Sequence, residues 1–278
     1  MINRLNLLKT CCIISGMVLL LTACRQKERV YELTCDYKVN PVGLDSKYPK
    51  FSWKIKSDGF GKYQTAYRIL VSDKKGKIFW DTRCVKSDQS ILIPYSGKPL
   101  QSGTSYSWKV KVWDEEGVAS KWSKSAKWTT GIMNADEWKA KWIGAAEKEP
   151  VDAAPFIRKE FTVAKRVERA YAYISGLGYY ELRINGKKIG DNVLDPAQTD
   201  YEKRVFYTVY DVTENIVKGG NALGVIVGNG WYNQQVAWGG RSYGVPRVIL
   251  QVKIEYNDCS EELIITDKSW KTIYGTIV

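Results

Sequence analysis

Apolar and polar residues alternate along most of this chain with a period of two, the signature of half-buried strands. FSWKIK (51–56) points Phe51, Trp53 and Ile55 to one side. YRILVSD (67–73), KIFWDT (77–82) and SILIPY (90–95) follow with turn residues between them. SYSWKVKVWD (105–114) sets Tyr106, Trp108, Val110 and Val112 on one face, and KWSKSAKWTTG (121–131) closes the group. Several short strands within one short stretch predict an immunoglobulin-like or fibronectin type III sandwich over residues 31–131. Tryptophans at alternating strand positions read as core, with a sugar-stacking platform as the alternative.

The pattern lapses over 132–155, where Ala, Glu and Pro cluster around Trp138 and Trp142, and this stretch reads as a linker. Alternation returns in PFIRKEFTV (155–163), VERAYAYISG (167–176), YYELRINGKKIGD (179–191) and RVFYTVYDVT (204–213). It continues in ALGVIVGNGWY (222–232), PRVILQVKIEY (246–256) and ELIITD (262–267). Asn185-Gly186 supplies the positive φ angles of a two-residue hairpin. Some eight antiparallel strands over 156–278 predict a jelly-roll, galactose-binding-like β-sandwich, so the fold class is all-β. The two longest non-periodic stretches, 191–203 and 229–245, are the places to look for function.

The N-terminus departs from this plan. Arg4 and Lys9 precede an apolar run, CCIISGMVLLL (11–21), and Leu21-Thr22-Ala23 leads into Cys24. That order predicts a lipoprotein signal over 1–23, lipidation at Cys24, and a tether over 24–30. The implied location is the cell envelope of a Gram-negative bacterium, in the outer membrane or periplasm. Membrane contact would then come through the lipid.

The formal net charge is +12, or +10 once Arg4 and Lys9 are subtracted. The lysines are scattered over strand faces rather than concentrated in a basic helix, so no nucleic-acid partner is expected. Of the six cysteines, Cys35, Cys84 and Cys259 lie beyond Cys24. No C-x-x-C spacing suggests a metal, and three buried free thiols are expected, with a Cys35–Cys84 disulfide as the alternative.

Residues 31–270 resemble the N-terminal region of bacterial α-L-rhamnosidases, glycoside hydrolase family 78. The likeness is carried by CDYKVNPVGLDSKYPKFSW and SGTSYSWKVKVWDEEGVASKWS in the first half. In the second half it is carried by GLGYYELRINGKKIGDNVLDPAQTDYEKRVFYTVYDVT and GNALGVIVGNGWY. The resemblance implies an enzyme releasing terminal L-rhamnose by inversion, from an (α/α)6 barrel with two glutamates. An inverting pair stands ~6.5–9.5 Å apart. SWKTIYGTIV falls where relatives continue toward that barrel, so a non-catalytic accessory region is expected, from a truncated or split gene. A separately encoded catalytic domain is an implied partner. The alternative is a free-standing envelope lipoprotein that captures glycans or contacts a protein.

No catalytic residue is nominated. The chain has no histidine, which removes Ser-His and Cys-His nucleophiles. Glu115-Glu116 and Glu261-Glu262 read as solvated turn acids. In some relatives the jelly roll binds L-rhamnose with the help of calcium. By that resemblance Asp191, Asn192, Asn229, Trp231, Trp238 and Arg241 are the candidate carbohydrate ligands, with Trp231 or Trp238 as the stacking face. Asp191 and Asp195 are the candidate calcium ligands. The competing reading has Asp191 capping the hairpin and Trp231 buried at a strand end. The expected ligand is a rhamnose-containing glycan.

Overall fold

In a computed structural model the described residues are 29–57, 60–145, 154–234 and 242–274. The signal, Cys24 and most of the tether lie outside them. The chain divides into two compact units. The first holds residues up to Pro41, Ser46–Leu100 and Thr104–Thr129; the second holds Val42–Asp45, Gln101–Gly103 and Thr130–Val278.

The first unit contains β1 (Arg29–Cys35), β2 (Lys50–Lys56), β3 (Ala66–Asp73), β4 (Ile78–Asp81), β5 (Val85–Lys86), β6 (Ile93–Pro94), β7 (Ser105–Trp113) and β8 (Ala126–Thr129). They form one sheet ordered β1-β2-β6 and a second ordered β4-β3-β7-β8, with β5 paired to β3. Alternation does what the pattern required: Tyr106, Trp108, Val110 and Val112 are buried, as are Phe51 and Trp53. Ile55 is only half-buried. The inner faces meet through aromatic rings, with Phe51 4.5 Å from Trp108 and Tyr106 stacked 5.2 Å from Trp128. Trp53 donates its indole N–H to Gln64 at 3.0 Å. These tryptophans are core, and they satisfy the sandwich rather than a sugar. Strand β1 was not legible in the pattern.

The second unit contains β9 (Pro155–Val163), β10 (Val167–Leu177), β11 (Tyr179–Ile184), β12 (Lys187–Lys188), β13 (Thr208–Asp211), β14 (Gly219–Gly228), β15 (Arg247–Tyr256), β16 (Glu261–Ile265) and β17 (Lys271–Tyr274). Two antiparallel sheets, β13-β10-β15-β16 and β12-β11-β14-β9-β17, face each other. Between them lie Ile157, Ile174, Leu182, Ile184, Leu223 and Leu250, all but excluded from solvent. Each fully buried aliphatic contributes about 1.5–3 kcal/mol relative to exposure. The stretch 204–213 is strand only over Thr208–Asp211, and β17 was not foreseen.

Residues 132–145, expected as a linker, run over the outer face of the four-stranded sheet. The Lys141 N–H donates to the Thr266 carbonyl at 2.9 Å, and Ile143 bridges Val248. Trp138 meets Tyr207 edge to face at 5.5 Å beside Ile132, Tyr171 and Tyr173, while Trp142 is exposed. The strap covers what would otherwise be an apolar outer face.

Two further expectations are corrected. Cys35 is buried, but Cys84 and Cys259 are exposed, and all three are free thiols. Glu261 and Glu262 sit in β16 rather than in a turn; Glu261 pairs with Lys253 at 2.9 Å, and Glu262 accepts the Tyr256 hydroxyl. The preceding reversal, Asn257–Ser260, uses Asp258 to accept the Ser260 N–H, so the turn lies just upstream of the acids.

Candidate functional site

The stretch 191–203 follows the β11–β12 hairpin and the stretch 229–245 follows β14, the other neighbour of β11, and the nominated residues lie on these two stretches. Tyr179 and Tyr180 open β11 and face opposite ways. The contacts that follow sort into two groups, one on each side.

On the core side the organiser is Asp195. Its Oδ2 accepts Tyr180 Oη at 2.7 Å, Thr208 Oγ1 at 2.8 Å, Tyr210 Oη at 3.0 Å and Asn192 Nδ2 at 3.1 Å. Its backbone carbonyl accepts the Tyr180 N–H at 2.9 Å. Burial works to raise the carboxyl, but the four donors outweigh it and hold Asp195 below the ordinary carboxylate range. Burial pushes the Tyr180 and Tyr210 hydroxyls up, so both stay protonated donors. Asp195 is thus an ionised, half-buried anchor that pins the 191–203 loop to β11 and β13.

Asp191 and Asn192 are both exposed at the start of that loop. Asn192 spends its amide nitrogen on Asp195 and on Tyr210 Oη at 3.4 Å. Val193 and Leu194 follow as exposed apolar residues.

Those residues do not by themselves fit a calcium ion. Calcium takes six to eight oxygens, whereas the Asp195 Oδ2 already receives four hydrogens. Among the described residues no group of three or more His, Cys, Asp or Glu side chains could hold a metal.

On the outer side the second group is aromatic. Tyr201, from the first loop, meets Tyr232 and Tyr243, from the second, each at 5.3 Å, and the latter two stack at 5.7 Å. Gly230, at φ +50°, lies so close to Tyr179 that a Cβ there would stand 3.1 Å from the ring. Asn229 receives the Asn233 side-chain amide at 3.1 Å, and Ser242 donates to Asn233 at 2.8 Å, closing the neck of the second loop. Trp231 projects from this neck with 48% of its surface exposed, so it is not the buried strand-end residue of the competing reading. Trp238 and Arg241 lie outside the described residues.

The observed contacts therefore bring Asn192 to Asp195 and bring the bases of the two loops together through tyrosine. Sequence reasoning missed Tyr180, Thr208, Tyr210, Tyr201 and Tyr232. The first three carried a signal: a tyrosine hydroxyl on a core-facing position must find a partner. The ring cluster carried none, because its members are 31 and 11 residues apart along the chain.

The chain is thus an all-β protein, an immunoglobulin-like sandwich followed by a jelly-roll sandwich with long, aromatic-rich loops. The comparisons with known proteins make this specific. Residues 30–134 match the Rha78A-like N-terminal immunoglobulin domain, and residues 165–278 match the α-L-rhamnosidase N-terminal domain. The chain belongs to the α-L-rhamnosidases of glycoside hydrolase family 78, as an N-terminal portion. An α-L-rhamnosidase of Formosa agariphila is 38% identical over 276 residues, covering 87% of this chain and 29% of that protein. The solved α-L-rhamnosidase of Dictyoglumus thermophilum is 43% identical with a TM-score of 0.81, covering 89% of this chain and 30% of that one. That of Streptomyces avermitilis, solved in complex with L-rhamnose, is 25% identical with a TM-score of 0.83, covering 89% and 41% respectively. The chain thus spans well under half the length of these relatives.

Proposed function

We propose that the two sandwiches serve an α-L-rhamnosidase-type protein as a non-catalytic accessory region, and that the loop end of the second recognises terminal L-rhamnose on glycans. The observation that carries the reading is Trp231, a large aromatic left exposed on a neck that three tyrosines and an asparagine pair hold in place. A pyranose presents an apolar face suited to such a ring and hydroxyls suited to carboxylates and amides. Asp191 and the Asn192 carbonyl supply those polar groups, with Asn229, Trp238 and Arg241 as further candidates. Export as a lipoprotein through Cys24 belongs to the same proposal and would hold the site at the envelope. Catalysis falls to a barrel domain, in the same or a separate polypeptide.

The test is calorimetric titration of the protein with L-rhamnose, run with and without calcium. Binding that Trp231→Ala and Asp191→Ala each weaken is the expected result. No heat at millimolar sugar under either condition overturns the reading. Binding that appears only with calcium would assign the ion to Asp191 and backbone carbonyls rather than to the Asp195 Oδ2.

A further inference from the structure

The outer face of the five-stranded sheet in the first unit carries more cations than acids. Register fixes which residues share it: Lys86 and Trp113 flank Ala66, Arg68 faces Lys111, Asp81 and Lys109 flank Leu70, and Ser107 lies between Ser72 and Lys127. Trp122, from the segment after β7, lies half-buried against this face. The Lys109 and Lys111 ammoniums stand 5.0 and 4.9 Å from its ring centre, and the Arg68 guanidinium 5.8 Å.

The segment that delivers Trp122 is anchored on both sides. Ser120 Oγ accepts the Val112 N–H and Ser123 Oγ accepts the Val110 N–H, each at 3.0 Å, and both backbone amides return the bond. The indole therefore has a fixed position, and it holds two lysine side chains that would otherwise sweep solvent. Such ordering lowers the entropy lost when a ligand binds.

Charge on the face is not balanced internally. Asp81 is the one acid on these rows among the described residues. It is taken by a two-pronged pair with Arg68, at 2.9 and 2.7 Å, and by Arg83 at 3.4 Å. Among the described residues Lys86, Lys109, Lys111 and Lys127 have no carboxylate partner there. The rest of these rows carries hydroxyl and aromatic groups beside Ala66, Leu70 and Ile78: Ser72 and Ser107 share a hydrogen bond at 3.2 Å, and Trp113 lies under Lys111 at 5.7 Å.

We propose that this face binds an acidic polysaccharide, a glycan chain bearing carboxylate or sulfate groups. Ordered ammoniums meet the anions, and serine hydroxyls and indole edges meet the sugar. The open sheet face suits an extended chain, and Ile78, opposite Ser72, is the one exposed large apolar side chain on these rows among the described residues. The proposal does not rest on rhamnose recognition, which uses the other unit and a neutral sugar.

The test is affinity electrophoresis of the full chain through gels containing polygalacturonate, with neutral dextran as the reference. Retardation by polygalacturonate alone is expected, abolished by high salt because the contacts are ionic. Replacing both lysines over the indole (Lys109→Gln with Lys111→Gln) should weaken binding about tenfold through loss of two charge-assisted contacts. The same charge removed elsewhere (Lys187→Gln with Lys218→Gln) should change it less than about twofold, with thermal melts checking that both variants fold. Absence of retardation overturns the proposal. So does equal weakening by the two pairs, which would mean diffuse charge, or binding to phosphatidylglycerol vesicles without binding to polygalacturonate. Retardation that survives high salt overturns it as well.

Discussion

Tyr180 Oη lies 2.7 Å from Asp195 Oδ2, and this bond ties the second domain's core to the loop expected to carry function. Tyr180 is buried on β11, and the other oxygen within its reach, the Tyr210 hydroxyl at 3.5 Å, is the more distant partner. Tyr180→Phe should destabilise the second unit by about 1–2 kcal/mol, and Asp195→Ala by more, since three further donors lose their acceptor together. Urea unfolding followed by tyrosine and tryptophan fluorescence measures both. A neutral Asp195→Ala would remove the anchor from the account.

Acid should separate the two carboxylates held below their ordinary values. The hydrogen-bonded Arg68 guanidinium lowers Asp81 from 3.8 to about 2, against a smaller opposing effect of burial. Asp195 is lowered by its four donors. A depressed carboxyl contributes stability that is present above the unfolded-state value and lost as pH falls through the folded one. The difference in unfolding midpoint between wild type and Asp81→Asn should thus be constant near neutrality, shrink as pH falls past 3.8, and be lost only below about pH 2. A pH-independent difference would mean the pair is not the source.

Asn185 separates turn chemistry from packing. Its φ of +52° suits the hairpin, where glycine would serve as well or better. Its side chain, however, accepts the Ala222 N–H at 2.9 Å and donates to the Asn215 carbonyl at 3.0 Å and to Asn221 Oδ1 at 2.9 Å. Asn185→Gly should therefore cost about 1–2 kcal/mol although it relieves the backbone. A neutral Asn185→Gly in thermal melts would reduce the residue to its turn.

The thiols should label in two classes. Cys84 and Cys259 are exposed and should react with maleimide in the folded protein. Cys35 is buried, and burial, with the neighbouring Asp36 charge, pushes its pKa up, so it should react only in denaturant. Peptide mapping by mass spectrometry reads the result; native labelling of Cys35 would contradict its packing.

Strand identity was legible where one face is core. In β7 every second residue is buried, so the period of two is written directly into SYSWKVKVW. β10 lost that clarity because the strap over 132–145 buries its outer face too, leaving Ala170 through Gly176 covered on both sides. β1 and β17 escaped notice because edge pairing, rather than a strong alternation, makes them strands. The acids at 261–262 were misread for a related reason: two adjacent glutamates resemble a turn, but an edge strand tolerates charge on its open side.

The same division holds for the site. Sequence alone determined the all-β class, the two-sandwich plan, the Asn185-Gly186 turn and the loops on which function was expected, because each rests on neighbours along the chain. Only the tertiary structure decided that Asp195 is a saturated anchor, that Trp231 faces solvent, and that tyrosines 201, 232 and 243 meet. It also decided that Lys109 and Lys111 share one indole with Arg68. Those facts depend on strand register and on loops closing over tens of residues, where an acceptor's partners and a ring's exposed face are set by what folds beside them.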